Sequence, residues 1–179
     1  MEITEKKVDS ELKYHGVIVD VYLDHASLID GKIVKREVVD HPGGVGIIPV
    51  DSDENCYMVR QFRYPTNQML LEIPAGKLER GEDHYDCAVR ELSEETGFTC
   101  DNLSYLGYFY TSPGFSNEVL HLYLATGLHE GEAHPDEGEF LNLEKIPLKD
   151  LVKDIMSGEI IDAKTVIGIL KVNNLLHYN

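Results

Sequence analysis

Residues 76–98 read GKLERGEDHYDCAVRELSEETGF, and the middle of this stretch carries a helical period. Between Glu82 and Thr96, the residues Tyr85, Ala88, Val89, Leu92 and Thr96 recur at i, i+3, i+4, i+7 and i+11. That spacing lines one side of an α-helix, and Gly97 stops it as a C-cap. The side away from the apolar stripe holds Glu91, Glu94 and Glu95, with Arg90 beside them. At about 100° per residue the three carboxylates share an arc of roughly a quarter turn. Like charges at i,i+3 and i,i+4 repel by a few tenths of a kcal/mol each on an exposed helix and by more when partly buried. A cation relieves that repulsion. Carboxylate oxygens without His or Cys select Mg²⁺ or Mn²⁺ over zinc or copper. On the helix alone, a solvated acidic face remains the other reading, so the surrounding sequence must decide.

Outward from this helix the pattern is of strands. Residues 14–40 are rich in Val and Ile, with Asp30-Gly31 at the position of a hairpin turn, which predicts two or three strands. His41-Pro42-Gly43-Gly44 is a breaker cluster and marks the expected boundary between an N-terminal β subdomain, 1–44, and a larger domain, 45–179. Strands are expected over 45–50, 56–64, 70–73, 103–111 and 118–126, with an acidic, turn-rich stretch at 129–139. Two helices close the chain, one starting at Pro147 and one after Asp162, whose side chain suits an N-cap.

The 179 residues, 42% of them hydrophobic, suffice for one sizeable domain with a small appendage. Lys and Arg number 16 against 32 Asp and Glu, a net charge of −16. Such a charge repels nucleic acid and anionic membranes. Cys56, Cys87 and Cys100 form no C-x-x-C pair, so neither a disulfide framework nor a structural zinc site is expected. No stretch approaches the roughly 20 apolar residues needed to span a bilayer. A cytoplasmic protein is the expectation. Cys87 within the helix reads as a packed side chain, and His84 and His121 as surface or strand residues without metal spacing.

Gly76, Glu82, Arg90, Glu91, Leu92, Glu94, Glu95, Gly97 and Phe98 stand at every defining position of the Nudix box. Seven fixed identities at a few to ten per cent each coincide by chance below about once in 10⁷ starting positions. The chain therefore resembles the Nudix hydrolase superfamily. The resemblance implies an α+β fold, a Nudix α/β/α sandwich here joined to the small N-terminal β-rich subdomain. It also implies a loop–helix–loop box whose Glu residues bind divalent metal and activate water against a diphosphate. An acidic protein holds an anionic diphosphate only where its charge is inverted locally, which divalent ions on Glu91, Glu94 and Glu95 achieve.

Along nearly its whole length the chain is similar to the ADP-ribose pyrophosphatase branch. The landmarks are Leu70-Leu71-Glu72-Ile73-Pro74-Ala75-Gly76, the segment Ser112-Pro113-Gly114-Phe115-Ser116-Asn117-Glu118 with a marker proline, and Asp136-Glu137-Gly138-Glu139-Phe140. The tail from Gly158 to Thr165, GEIIDAKT, adds to them. The resemblance implies that Ala75 supplies a carbonyl to the metal shell with Glu91, Glu94, Glu95 and Glu139, and that Glu94 and Arg90 belong to the catalytic set. Glu137 matches the general base on a mobile loop, a base that can reach the attacking water after substrate binds; the roles of Glu137 and Glu139 can be exchanged. Substrate contacts fall on Arg63, suited to the diphosphate by its bidentate fork, and on Ser112, Pro113, Gly114 and Glu118. Arg36 and Glu37 match a pair contributed by the neighbouring subunit, which implies a homodimer. The chain has no tryptophan, so adenine stacking would fall to Tyr, Phe or Arg.

The reaction implied is Mg²⁺-dependent (Mn²⁺ possible) hydrolysis of ADP-ribose to AMP and ribose 5-phosphate. The alternative within the same chemistry is another nucleoside diphosphate sugar. A different class, a non-catalytic ADP-ribose sensor, normally loses box carboxylates that are kept here. An RNA decapping enzyme would need a basic surface.

Overall fold

The computed structural model describes residues 3–134 and 141–178. The chain forms two compact units, Met1–Gly43 with Tyr110–Val119, and Gly44–Phe109 with Leu120–Asn179.

The first unit is built on an antiparallel meander of β1 (Lys6–His15), β2 (Asp20–Ser27) and β3 (Ile33–Asp40), in that order. Gly31, at φ 83°, makes the turn between β2 and β3 where the sequence placed it, and Leu28 N donates to Lys32 O across it at 2.9 Å. β1 begins well before the expected start of strand structure at residue 14. Its sequence, KKVDSELKYH, is exposed at every position, so charge conceals it from a reading based on buried alternation. Asp24 on β2 is buried and is held by Ser10 Oγ at 2.5 Å and Lys7 Nζ at 2.9 Å. Residues 110–119 run beside β3: Val39 N donates to Phe115 O at 2.7 Å, and Asn117 N to Val39 O at 3.2 Å.

The second unit contains β4 (Gly44–Pro49), β5 (Asn55–Arg63), β6 (Gln68–Glu72), β7 (Ala75–Lys77), α1 (His84–Thr96), β8 (Phe98–Tyr110), β9 (Val119–Glu130), β10 (Asn142–Pro147), α2 (Leu148–Ser157) and α3 (Ala163–His177). One sheet has the order β7-β4-β9-β8, with β4 parallel to β9 and antiparallel to β7; the other has the order β10-β5-β6. Every residue of β4 is buried, as a near-continuous apolar strand covered on both faces requires. Val45 and Ile47 pack with Cys87, Ala88 and Leu92 of α1. Ile48 packs with Leu151 of α2 and Ile169 and Val172 of α3. Helices therefore cover both sides of the strand that carries the chain towards the box, the layering expected from the resemblance. A buried Ile or Leu contributes about 1.5–3 kcal/mol, so these clusters fix α1 against β4.

α1 starts at His84 rather than Glu82 because Asp83 is extended and its side chain accepts from Tyr85 N at 2.8 Å, an N-cap. α3 begins after Asp162 as expected, while α2 begins at Leu148, one residue later than expected, because Pro147 is extended and closes β10. Besides β1, two further strands were not anticipated, β7 with only three residues and β10 at Asn142–Pro147. No helix among the described residues is long and apolar enough to cross a membrane.

Candidate active site

The box helix ends cleanly. Gly97 adopts φ 74°, its N–H donates to Ser93 O at 2.9 Å, and a Cβ there would press on Ala133 N and Gly131 O at 2.8 and 2.9 Å. Glycine meets both demands at once. Just before this cap lie Glu91 and Glu95, both buried, and Glu94, more open, with its side chain 31% exposed.

Arg90 organises the carboxylates. Its Nε donates to Glu82 Oε1 at 3.0 Å and its Nη2 to Glu82 Oε2 at 3.2 Å. Its Nη1 donates to both Glu91 Oε1 at 2.7 Å and Glu94 Oε2 at 2.8 Å. One planar, permanently charged fork thus gathers three anions. The Arg90 hydrogen bonds hold the Glu82 carboxyl down at about 2. Reciprocally, Glu82 and then its neighbours raise Arg90 above the usual arginine value, against the effect of burial.

The strand opposite α1 receives the other side of the cluster. Ala75 N donates to Glu95 Oε2 at 2.9 Å. A Cβ at position 76 would sit inside the Glu91 carboxylate, so only glycine leaves it room. Glu91 and Glu95 thereby stand beside the Ala75–Gly76 backbone, while Glu94 is held at Arg90. Their chemistry fits a hard divalent ion. Among the described residues, however, no three of His, Cys, Asp or Glu stand grouped as a metal site. Arg90 draws Glu91 and Glu94 to one nitrogen, while the Ala75 amide draws Glu95.

Arg63, at the end of β5, is engaged elsewhere. Its Nε and Nη2 donate to the two oxygens of Glu72 at 2.8 and 2.6 Å. Glu72 is 1% exposed and also accepts from Lys164 Nζ. Burial pushes the Glu72 carboxyl up, but Arg63 and Lys164 outweigh it, leaving the group below its ordinary value. Arg63 is raised, first by Glu72, with smaller contributions from Asp162 and Glu95, which puts its charge within electrostatic reach of the box. Sequence reasoning passed over Glu72 and Lys164 individually, although both lie in quoted landmarks.

The remaining expected substrate residues belong to the first unit. Arg36 Nη2 pairs with Glu5 at 2.7 Å on the exposed side of β3, and Glu37 follows it. Ser112 O accepts from Phe115 N at 3.1 Å and Ser116 N at 2.9 Å, closing a turn over Pro113 and Gly114. Nothing lies within 4 Å of a Cβ built on Gly114. Glu118 accepts from Thr111 Oγ1 and lies 3.5 Å from His41 Nδ1. Glu137 and Glu139 lie outside the described residues.

Three further side chains complete the account of the box. Cys87 is fully buried, and burial pushes its thiol up to about 12, so it packs rather than reacts. His84 and His121 form a stacked pair, ring centroids 4.0 Å apart and planes 9° apart. His84 Nδ1 meets Tyr123 Oη and His121 Nδ1 meets Tyr105 Oη at 3.0 Å. No local spacing signals this pairing of α1 with β9.

The NUDIX domain family model matches residues 40–165. The chain is 42% identical to the ADP-ribose pyrophosphatase of Bacillus subtilis (strain 168), over 93% of this chain and 91% of that protein. It is also 42% identical to the methanol dehydrogenase activator of Bacillus methanolicus, over 92% of this chain and 90% of that one. A crystal structure of an ADP compounds hydrolase shares the fold with a TM-score of 0.84 at 21% identity, covering 96% of this chain and 94% of that one. With the box helix, its caps and its gathered carboxylates in place, the chain belongs to the Nudix hydrolase family.

Proposed function

We propose that this Nudix hydrolase is a divalent-metal-dependent ADP-ribose pyrophosphatase that adds water across the diphosphate to give AMP and ribose 5-phosphate. The observation that carries the metal site is the convergence of Glu91 and Glu95 on the Ala75–Gly76 backbone, with Glu94 drawn beside Glu91 by Arg90. Similarity over nearly the full length to the B. subtilis enzyme supports the substrate. Glu91, Glu94, Glu95 and the Ala75 carbonyl would hold Mg²⁺ or Mn²⁺, with Glu139 as a further ligand. Bound there, the ion lowers the pKa of water and offsets charge on the diphosphate.

The chain's own residues set the geometry. Arg90 keeps Glu91 and Glu94 oriented, and Glu82 anchors Arg90 from the loop before α1. Glu137 takes the proton of the attacking water. Arg63, Ser112, Pro113, Gly114 and Glu118 bind the substrate, and Arg36 and Glu37 reach the adenine end of a substrate held by a second copy. In this reading residues 1–44 are the dimerising subdomain and 45–179 the hydrolase domain, and the homodimer works in the reducing cytoplasm, consistent with three free cysteines.

Incubation with Mg²⁺ and a panel of ADP-ribose, UDP-glucose and GDP-mannose, with nucleotide products identified, tests the substrate. ADP-ribose is expected to be cut fastest. Equal or faster cleavage of another sugar would move the assignment to that nucleotide sugar. Binding of ADP-ribose without turnover would make the protein a sensor.

A further inference from the structure

The tail motif Asp162-Ala163-Lys164-Thr165 opens α3, yet its polar atoms are spent on the strand that enters the box. Asp162 caps α3: its Oδ2 accepts from Thr165 N at 3.0 Å and from Thr165 Oγ1 at 2.6 Å. Having donated its one proton to Asp162, the Thr165 hydroxyl accepts from Ile73 N at 2.9 Å, in full burial. Lys164 Nζ bridges Asp162 Oδ2 at 3.0 Å and Glu72 Oε2, with its side chain 13% exposed. Beyond Ile73, Pro74 O accepts from Ile47 N at 2.8 Å and Ala75 N donates to Glu95. An uninterrupted run of polar contacts therefore leads from the α3 cap, through residues 72–75, to a box carboxylate.

We propose that Lys164 and Thr165 are positioning residues for the metal site. They fix Glu72 and Ile73 and so set where the Ala75 carbonyl and the Glu95 carboxylate stand. The inference rests on the metal-dependent reading above. Their side chains contact Glu72, Ile73 and Asp162 rather than the box carboxylates. Partners that orient metal ligands typically change affinity by about 10–100-fold when lost.

The charge count gives the proposal a sign of its own. Removing the Lys164 ammonium makes the neighbourhood more negative, so electrostatics alone would tighten binding of a dication. Positioning predicts the opposite. The test is depletion of free aqueous Mn²⁺, read by electron paramagnetic resonance, with the full chain, Lys164→Met, Thr165→Val and Thr165→Ser, each confirmed folded by circular dichroism. The wild-type chain should bind Mn²⁺. Lys164→Met and the isosteric Thr165→Val should bind it about tenfold more weakly or worse, and Thr165→Ser, which keeps the hydroxyl, should bind nearly as wild type. Unchanged or tighter binding by Lys164→Met, or wild-type binding by Thr165→Val, overturns the proposal. If Lys164→Met does not fold, the Val and Ser pair decides. A wild-type chain that depletes no Mn²⁺ would instead remove the metal-dependent reading itself.

Discussion

Two arginine networks lie within the second unit, and their charge balance separates them. Around Arg63, two cations meet two anions: Arg63 and Lys164 against Glu72 and Asp162. Around Arg90, one guanidinium serves Glu82, Glu91 and Glu94, with buried Glu95 close by on the same helix. A charge-balanced cluster around buried Glu72 holds its elements together without a further ion. A cluster in which three carboxylates share one guanidinium concentrates negative charge, and a divalent cation beside it would be stabilised. Excess carboxylate, more than burial, distinguishes the α1 cluster from the cluster around Glu72.

The largest expected effect comes from removing a surplus carboxylate. Glu94→Gln should lower kcat on the order of a thousandfold, as several kcal/mol of charge stabilisation is lost with one ligand, while the urea midpoint stays near wild type. Steady-state kinetics beside a denaturation curve checks both halves. Glu72→Gln should differ in kind, lowering stability as well as weakening Mn²⁺ binding through the strand that Glu72 helps to position. It leaves Arg63 and Lys164 with a weakened buried partner, costing about 3 kcal/mol of stability, seen as a lower urea midpoint. If both variants lose stability alike, the distinction between the networks is wrong.

A smaller effect sharpens the same contrast. Arg90→Met strips the guanidinium that Glu82, Glu91 and Glu94 share and should cost about 1–2 kcal/mol in metal-free buffer. Mg²⁺ should then raise its Tm by more than it raises that of the wild type, because the ion stands in for the lost charge. Calorimetry with and without Mg²⁺ reads this difference. The smallest effect is a pH dependence. Glu82 lies at about 2 in the folded chain against an ordinary 4.5, chiefly through Arg90. Its stabilisation is fully present above about pH 4.5 and is lost as pH falls through about 2. Glu82→Gln should therefore flatten the acid limb of the stability curve over that interval and leave neutral pH comparisons between variants otherwise interpretable.

Much of this was legible in the sequence, for identifiable reasons. The Gly97 stop and the Asp162 cap are local signals, and each stands where spacing put it. The period located α1, but Tyr85 and Val89 of the expected apolar stripe are exposed, and Glu91 and Glu95 are buried instead because they turn towards the Ala75–Gly76 strand. Local spacing also gave the shared arc of Glu91, Glu94 and Glu95. β1 escaped because an exposed strand has no apolar face to alternate, and β7 because three residues carry no period. The candidate metal-binding carboxylates were legible in the sequence, and the contacts that support them were not. Arg90 finds Glu82 eight residues back across the helix start, and Lys164 finds Glu72 ninety-two residues away. His84 stacks on His121 of a different element. Such pairings depend on how β4 brings its neighbours together, which no short window records. Resemblance marks Arg63 as a diphosphate contact; its bidentate hold on Glu72 comes only with the hairpin of β5 and β6.

The central claim is that the surplus carboxylates of α1 hold a divalent ion against the Ala75–Gly76 strand. The most direct measurement is an anomalous difference map from crystals of the protein grown with Mn²⁺ and diffracted near the manganese edge. The account predicts a manganese peak ligated by Glu91, Glu94 or Glu95 together with the Ala75 carbonyl. A map with no peak at α1, or with manganese bound only elsewhere while Arg90 keeps Glu82, Glu91 and Glu94 to itself, would contradict it.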